Sequence, residues 1–489
     1  MIPGPAIPGQ AGPPKEACGV FGVYAPGRSV SGLTYLGLQV LQHRGEESAG
    51  IAVGDGSAID CHRGPGLVSQ VFDRAGLEAM RGHVAIGHTR YSTSGSTAPV
   101  NAQPALDAAG RFALAHNGNL LGYARTADRL DAVVSDSHVL AAALGDSLDD
   151  HNDDLVPAAV DVFRNLRGAF SLVIMDHGRL LATRDPHGFR PLTLGTVNFG
   201  AGNFGTGAHG NGDTGWVVAS ETAAIEAIGG EVVRVVEPAE LLIIDEFGPR
   251  SVRWAPARPK ACLFEYVYLA RSDSVLDGRS VYEARHQAGR ALAREHPAPD
   301  ADLVVGVPDS GTPSALGFAA ASGLPYAQGF VRSPYVGRTF IQPFPGLRTE
   351  GLRLKLAPIG AVVRGKRVVV VDDSIVRGTT QSLLTAMLRT AGATAVHLRI
   401  ASPPIRWPCF FGFDFATSDQ LIAAERAVDD IRSVLGADSL GYLTLPSLIA
   451  TTGQPPDHLC RACMDGCYPV TLSERGALHA LPEIAETCR

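Results

Sequence analysis

The sequence predicts two domains of different class: an α+β layered sandwich, followed by a doubly wound α/β domain. The first half of the 489 residues is a series of short strand-like runs and glycine-rich turns with few helical patterns. From about residue 262, strands alternate with helices, which is typical of a mainly parallel sheet. At about 100–200 residues per domain, the length allows two to four domains.

The composition is that of a globular protein, with 45% hydrophobic and 19% charged residues. Forty-two cationic and 49 acidic side chains give a net charge of −7. This argues against a generally basic surface that binds nucleic acid, although it leaves room for a local patch. No apolar run approaches the roughly 18 residues of a membrane span. We therefore expect neither nucleic acid nor membrane among the partners.

The eight cysteines are too few for a disulfide-stapled scaffold. Their clustering near the C-terminus indicates ligation or chemistry in a reducing compartment, so we expect a cytoplasmic protein.

Residues 1–17 contain five prolines and three glycines, which block helix and strand alike. They lack the basic and long apolar segments of a secretory signal. A disordered tail is the simplest interpretation, but Cys18 follows at the head of a strand-like run, ACGVFGVYA. If residues 1–17 are a propeptide, removal makes Cys18 the first residue. Its α-amino group, with a pKa of about 7.7–8.0, could then accept the thiol proton. Taken alone, Cys18 would be interpreted as a buried structural cysteine, and only the motifs that follow favour a nucleophile.

Strand-like runs and turns follow Cys18 through the first domain. The earlier ones are LQHRGEESAGIAV (41–53), GHVAIGHTRYSTSG (82–95), NAQP (101–104), FALAHNGNL (112–120) and SDSHVL (135–140). Clearer strands are FSLVIMD (170–176), LLATRD (180–185), WVVAS (216–220) and ELLIID (240–245). Many strands with few helices predict the layered sandwich.

The residue types in these runs are suited to catalysing acyl transfer from an amide. Asn117 and Gly118 supply a side-chain amide and an unhindered backbone N–H, the donors that stabilise an oxyanion. Arg90 offers a fork for a carboxylate, and Asp136 a counter-charge for an amine. Together these groups fit an α-amino acid whose side-chain amide points at Cys18. Taken singly, Asn117-Gly118 would be interpreted as an ordinary turn, and Arg90 with Asp136 as an ordinary surface ion pair.

The motifs CGVFG (18–22), HRG (43–45), GHTRYST (87–93), Asn117-Gly118 and Ser135-Asp136 resemble the glutaminase domain of class II glutamine amidotransferases. The resemblance implies an N-terminal-nucleophile αββα fold over residues 18–255, with Cys18 as nucleophile and Asn117 with Gly118 as oxyanion hole. It also implies that Arg90 and Asp136 bind the glutamine carboxylate and amino groups. The sequence departs from the family at Glu46, where Gln is usual, and at His138, where an acidic residue is usual.

Residues 200–205, GAGNFG, match a dinucleotide-binding motif, with Glu221 at a suitable distance downstream. That motif requires a helix immediately after it, and GTGAHGNGDTG cannot be one. We interpret residues 195–215, which contain eight glycines, as a glycine-rich surface insertion.

In the second half the strands DLVVGVP (302–308), RVVVVDDS (367–374) and AVHLRIAS (395–402) alternate with helices near 280–296, 312–322 and 379–391. Ligands of such sheets bind at the carboxyl ends of the strands. There, Asp372 and Asp373 leave a buried strand together and enter a glycine–threonine loop before a helix. Paired carboxylates suit ribose hydroxyls or Mg²⁺, and the N-terminus of a helix suits a phosphate.

VVVVDDSIVRGTT (368–380) resembles the phosphoribosyl pyrophosphate (PRPP) signature of type I phosphoribosyltransferases, which implies such a domain over residues 256–440. VPDSG (307–311) resembles the pyrophosphate loop, and GRTFIQP (337–343) through LRLKL (352–356) the lid, with FPGLR (344–348) departing from the usual lid. The resemblance implies one Mg²⁺ per subunit on Ser310, Asp372 and Asp373. It also implies PRPP contacts from Lys355, Asp372, Asp373, Ser374, Ile375, Val376, Arg377, Gly378, Thr379 and Thr380.

Cys460 and Cys463 form a two-ligand hook that suits zinc, an iron–sulfur cluster or a redox dithiol. Cys262 and Cys409 lie in apolar, aromatic segments that suit a shielded cluster. Both segments resemble the iron–sulfur amidophosphoribosyltransferases. The resemblance implies one [4Fe–4S] cluster per subunit on these four cysteines, tying the C-terminal segment, 441–489, to both domains. Cys467 ranks below the four, and zinc remains the alternative metal.

The combined resemblance implies that glutamine, PRPP and water give 5-phosphoribosylamine, pyrophosphate and glutamate, the first step of purine biosynthesis. It further implies a homotetramer inhibited by purine nucleotides. Two alternatives are a PRPP-responsive regulator that binds nucleic acid and a transferase whose glutaminase half is silent. The net charge and the completeness of the glutaminase motifs favour the enzyme.

Overall fold

The computed structural model describes residues 18–91, 101–121, 135–199, 214–333, 354–413 and 417–472. Residues 1–17, the predicted propeptide, and the lid as far as residue 353 lie outside these ranges, as do residues 200–213 of the predicted glycine-rich insertion. The ends of that insertion, predicted over 195–215, belong instead to the paired strands Thr193–Asn198 and Thr214–Ala219. No helix in the described ranges is long and apolar enough to cross a membrane.

The first domain contains two antiparallel sheets. Its strands are β1 (Gly19–Tyr24), β2 (Ser48–Gly54), β3 (Ile59–Pro65), β4 (Val84–Arg90), β5 (Ala105–Leu106), β6 (Ala113–Leu120), β7 (Gly168–Met175), β8 (Leu180–Arg184), β9 (Thr193–Asn198), β10 (Thr214–Ala219), β11 (Gly230–Val235), β12 (Glu240–Asp245) and β13 (Gly248–Arg253). One sheet has the order β11-β9-β10-β1-β4-β2-β3, and the other β13-β12-β8-β7-β6-β5.

The helices of this domain cover the outer faces of the two sheets. They are α1 (Ser31–Val40), α2 (Val68–Val71), α3 (Arg74–Ala79), α4 (Asp136–Asp150), α5 (Leu155–Asn165) and α6 (Thr222–Ala227), with a 3₁₀ turn at Leu41–Arg44. Alternate residues of β1 face opposite cores: Phe21 packs under α1, whereas Val20 packs between the sheets. A third core lies between the second sheet and α4 with α5. These three cores define four layers and confirm the αββα sandwich.

The second domain is built on a four-stranded parallel sheet. Its strands and those of the adjoining small sheets are β14 (Ala261–Cys262), β15 (Val275–Leu276), β16 (Arg279–Ser280), β17 (Leu303–Gly306), β18 (Phe330–Arg332), β19 (Leu356–Pro358), β20 (Arg367–Asp372), β21 (Ala395–Ile400), β22 (Ser439–Tyr442) and β23 (Leu459–Cys460). The parallel sheet has the order β17-β20-β21-β22.

Helices cover both faces of this sheet. They are α7 (Val281–Glu295), α8 (Thr312–Ser322), α9 (Gly360–Val363), α10 (Thr379–Thr390), α11 (Val428–Leu435), α12 (Leu445–Thr452) and α13 (Ala462–Asp465). Shorter turns lie at Glu265–Leu269, Ser418–Gln420 and Pro456–His458. Val369 and Val371 pack in one core and Val368 and Val370 in the other. Burial on both sides explains why β20 is an uninterrupted apolar run, and confirms the doubly wound prediction.

Two details differ from the sequence-based expectation. SDSHVL is not strand-like, because Asp136 begins helix α4, whose apolar face extends over the second sheet. Strand β22 runs across residue 440, so the sheet of the second domain continues into the predicted C-terminal segment.

Candidate functional site

The predicted nucleophile lies at the start of the central strand of the first sheet. Cys18 is fully buried, and its backbone N–H donates to Asn117 Oδ1 at 3.3 Å. Asn117 lies on β6 of the opposite sheet, so the site forms where the two sheets face each other. The structure thus brings together two residues that lie 99 positions apart.

Asn117 has the geometry of an oxyanion donor. Its Oδ1 accepts from the Cys18 backbone N–H, while its Nδ2 is buried and has no hydrogen-bond partner among the described residues. A buried amide hydrogen without a partner is costly in a folded protein, unless a ligand completes it. The neighbouring Gly118 must be glycine, because a Cβ atom there would lie 2.0 Å from the carbonyl oxygen of Ala169.

The two predicted glutamine-binding residues lie beside these elements. Arg90 is buried at the end of β4, with its guanidinium 3.9 Å from the Glu47 carboxylate. Asp136 is buried at the N-terminus of α4, and accepts from the Leu120 backbone N–H at 2.9 Å. Burial alone would raise the pKa of Asp136. His116, 3.8 Å away, and hydrogen bonds to the carboxylate lower it instead, so the group is held as an anion.

His138 follows Asp136 in the first turn of α4, at the position where the family resemblance leads us to expect an acid. Its Nδ1 lies 2.9 Å from Ser135 Oγ, and burial together with the charges of Arg63 and Arg90 lowers its pKa to about 4. The imidazole is therefore neutral at pH 7, and it cannot supply the negative charge of the usual acid.

In the second domain the two aspartates leave β20 side by side. Gln381 donates to Asp372 at 2.9 Å, whereas Ser310 and Ser374 both donate to Asp373 at 2.5 Å. Burial and the neighbouring carboxylate raise the pKa of Asp372, and burial raises that of Asp373. Two buried carboxylates repel each other, and a divalent cation bound between them would reduce that repulsion. Ser310 and both aspartates therefore lie together, as the sequence predicts.

The loop at 374–378 leads from these aspartates into α10. Ile375 is buried and anchors the loop in the core, while Arg377 and Thr379 are exposed. The first N–H groups of α10 have no partner within the helix, which is the usual arrangement for binding a phosphate. Lys355 lies just before β19, and its carbonyl accepts from Ser333 N–H. The described contacts do not join Lys355 to the aspartates.

The four predicted cluster cysteines line one cavity of about 20 Å³. Cys262 on β14 pairs in register with Cys460 on β23, which holds the C-terminal segment against the start of the second domain. The rest of the wall is apolar or aromatic: Phe189, Phe264, Phe411, Phe413, Ala462 and Tyr468. Burial raises the pKa of Cys262 to about 12, and also raises those of Cys460 and Cys463. Such thiols ionise only with a compensating positive charge, which a metal centre supplies.

The structure also contains a buried ionic network that sequence reasoning missed. Arg44 binds Glu221 at 2.5 Å and Glu265 at 2.7 Å, and Arg190 binds Glu265 at 3.1 Å. Glu221 is the acid that seemed to suit a dinucleotide motif, but its carboxylate is bound by His43 and Arg44. The one available signal was Glu265 itself, a charged residue inside the apolar run CLFEYVYLA.

Comparisons with known proteins agree with both halves of this description. A family model described as a glutamine amidotransferase domain matches residues 88–207. An amidophosphoribosyltransferase of Mycobacterium tuberculosis is 52% identical, covering 95% of this chain and 88% of the relative. One from Synechococcus elongatus is 47% identical, covering 94% and 93%. The structure of the glutamine PRPP amidotransferase from B. subtilis, complexed with ADP and GMP, superposes with a TM-score of 0.82 at 40% identity, covering 94% and 98%.

The fold and the two sites define an amidotransferase in which a glutaminase domain is joined to a phosphoribosyltransferase domain. At this identity over nearly the full length, the relation is unambiguous. The chain belongs to the amidophosphoribosyltransferase family and is an enzyme of purine biosynthesis.

Proposed function

We propose that the two sites act in sequence on glutamine and PRPP, in the first step of purine biosynthesis. The Cys18 thiolate attacks the glutamine amide carbon, ammonia leaves, and a γ-glutamyl thioester remains. Water then hydrolyses the thioester to glutamate and regenerates the thiol. The released ammonia displaces pyrophosphate from the anomeric carbon of PRPP, which gives 5-phosphoribosylamine.

The observation that carries this proposal is the arrangement of Cys18 and Asn117. The Asn117 side chain accepts from the backbone of the nucleophile and keeps a buried N–H for the oxyanion. Removal of residues 1–17 turns that Cys18 backbone nitrogen into an α-amino group, which takes the thiol proton. Gly118 supplies the second donor, while Arg90 and Asp136 bind the carboxylate and amino groups of glutamine.

In the transferase site, Asp372 and Asp373 bind the ribose hydroxyls and, with Ser310, one Mg²⁺ ion. Residues 374–380 bind the 5′-phosphate through the N-terminus of α10. Lys355 adds a positive charge for the pyrophosphate group. When bound, Mg²⁺ neutralises charge on the leaving pyrophosphate. Ammonia reaches this site through the protein interior, because in water it would be protonated and lost.

We further propose one [4Fe–4S] cluster on Cys262, Cys409, Cys460 and Cys463. The four thiols share one apolar, aromatic cavity. The aromatic lining, which includes Phe264, Phe411 and Phe413, shields the cavity and favours an iron–sulfur cluster, whose role here is structural.

The cluster proposal predicts about four iron and four sulfide ions per chain in protein purified without oxygen. Replacing Cys460 with serine should remove the iron and loosen the β14–β23 pair, so thermal stability should fall. Cys61, a half-buried cysteine far from the cavity, provides the matched serine control. Stoichiometric zinc with no labile sulfide would contradict the cluster.

Membership of the family also suggests how the protein assembles and is regulated. The relative from B. subtilis was solved with ADP and GMP bound. We propose that this protein, too, is inhibited by purine nucleotides and forms a homotetramer in the cytoplasm, a compartment that keeps cluster thiols reduced.

Product stoichiometry tests the function. With glutamine, PRPP and Mg²⁺ we expect one glutamate for each pyrophosphate, and pyrophosphate release should stop when the nitrogen donor is omitted. Pyrophosphate release that is supported by ammonium but not by glutamine would indicate a transferase whose glutaminase half is silent.

A further inference from the structure

The buried ionic network spans the two domains. It comprises Arg44, Glu221 and Arg190 from the glutaminase domain and Glu265 from the transferase domain. Arg44 donates to both carboxylate oxygens of Glu265, to Oε2 at 2.7 Å and to Oε1 at 3.4 Å, and Arg190 donates to Oε1 at 3.1 Å. All four side chains are at most 3% exposed. One transferase carboxylate therefore joins two glutaminase arginines in a buried interface.

The first-domain end of the network touches the glutamine site. Gly45, next to Arg44, packs on the backbone of Arg90 so closely that a Cβ atom there would lie 2.4 Å from it. Glu221 follows Ser220, whose hydroxyl accepts from the Val20 backbone N–H at 3.0 Å, two residues after the nucleophile. A shift of Arg44 or Glu221 therefore displaces both the glutamine-binding arginine and the strand that carries Cys18.

The second-domain end of the network leads to the transferase site. Glu265 begins the turn Glu265–Leu269, and Arg285 donates to the carbonyls of Tyr266 at 2.7 Å and Ala270 at 2.8 Å. Arg285 also lies in the electrostatic field of Asp373. The carbonyl of Arg285 accepts from Ser314 Oγ at 2.9 Å, and Ser314 lies in the first turn of α8, directly after the pyrophosphate loop.

The segment after Glu265 also contacts Glu221 directly. The Arg271 backbone N–H donates to the Glu221 carboxylate at 2.8 Å, and the Ser274 hydroxyl donates to it at 2.6 Å. Movement of the segment that follows Glu265 is therefore transmitted to both acids of the network.

A contribution to folding stability does not by itself explain why these four charged residues are buried. The free energy lost in desolvating an ion pair is about as large as the free energy gained from its attraction, so apolar residues of similar volume often stabilise a core equally well. Buried ion pairs do fix position, because removing one partner leaves another charge without compensation. Here the fixed positions belong to two active sites that must act together.

We propose that Glu265 is a positioning residue that couples PRPP binding in the transferase domain to glutamine hydrolysis in the glutaminase domain. This inference rests on the proposed function. PRPP in the transferase site orders the segment that Arg285 binds, which fixes the position of Glu265. Glu265 then fixes the positions of Arg44 and Arg190, and Arg44 fixes the position of the Arg90 backbone.

The test compares glutamine hydrolysis with and without saturating PRPP in Glu265→Gln and the wild type. We expect PRPP to raise kcat/KM for glutamine in the wild type, and this stimulation to fall about fivefold or more in Glu265→Gln, mainly through KM. Synthesis from saturating ammonium should stay within about twofold of the wild type, since Glu265 touches neither substrate.

Glu240→Gln is the matched control. Glu240 is also a buried glutamate held by an arginine fork, with Arg234 at 2.6 and 2.9 Å, but it lies wholly within the glutaminase domain. It should retain the stimulation even if its melting temperature falls equally. If Glu265→Gln fails to fold, Arg190→Lys keeps the charge but loses the fork, and should show the same loss.

Unchanged stimulation in a folded Glu265→Gln, or equal loss in Glu240→Gln, would overturn the inference. A wild type that makes phosphoribosylamine but hydrolyses glutamine equally well without PRPP would also overturn it, and would leave the proposed function intact. A wild type that makes no phosphoribosylamine would instead refute the proposed function.

Discussion

Cys18→Ala should lower glutamine-dependent phosphoribosylamine synthesis by about a thousandfold or more, because no other group in the site can form the thioester. Ammonia-dependent synthesis should be retained. The transferase acids belong to another domain, and external ammonium can supply the nitrogen. Both activities are measured as pyrophosphate release from PRPP, with either glutamine or ammonium as the nitrogen donor.

Cys61→Ala is the control for this experiment. Cys61 is a half-buried thiol on β3, the edge strand of the same sheet, and burial raises its pKa to about 11, so it is a poor nucleophile. It should keep both activities. Glutamine use that survives in Cys18→Ala would show that the nucleophile is elsewhere.

Asp373→Asn should have the complementary effect. Synthesis from glutamine and synthesis from ammonium should both fall by about a hundredfold or more, because the neutral amide cannot hold the cation or position the ribose. Basal glutamine hydrolysis should persist, since Cys18 and Asn117 lie in the other domain. The measurements are pyrophosphate release with each nitrogen donor and glutamate release without PRPP.

Asp302→Asn is the control for the transferase substitution. Asp302 precedes β17 and pairs with Arg367 at the amino end of β20, opposite the predicted site. It should retain both activities. Full ammonia-dependent synthesis in Asp373→Asn would show that Asp373 is not needed to bind the cation or the ribose.

Much of the architecture could be predicted from local pattern. Four consecutive valines before two aspartates predicted a strand buried on both faces, and β20 is that strand. ELLIID predicted β12 with its observed ends. SDSHVL was misread, because a six-residue run is too short to show the helical period that continues to Asp150.

The network between the domains could not be predicted in this way. Arg44 and Glu221 are 177 residues apart, and Arg44 and Glu265 are 221 apart, so no local spacing relates them. They meet only after two sheets and two domains have packed. The cysteine site was easier to predict from the sequence, because two aromatic segments and a Cys-x-x-Cys motif are each recognisable locally. In the structure, Cys262 of one aromatic segment pairs in register with Cys460 of the Cys-x-x-Cys motif.

The most direct measurement is the N-terminal sequence of the active enzyme, confirmed by intact mass. The proposed mechanism requires the Cys18 nitrogen, which lies 3.3 Å from Asn117 Oδ1, to be a free amine that takes the thiol proton. It therefore predicts cysteine as the first residue, followed by Gly-Val-Phe-Gly. Fully active protein that still carries Met1 to Ala17 would contradict it.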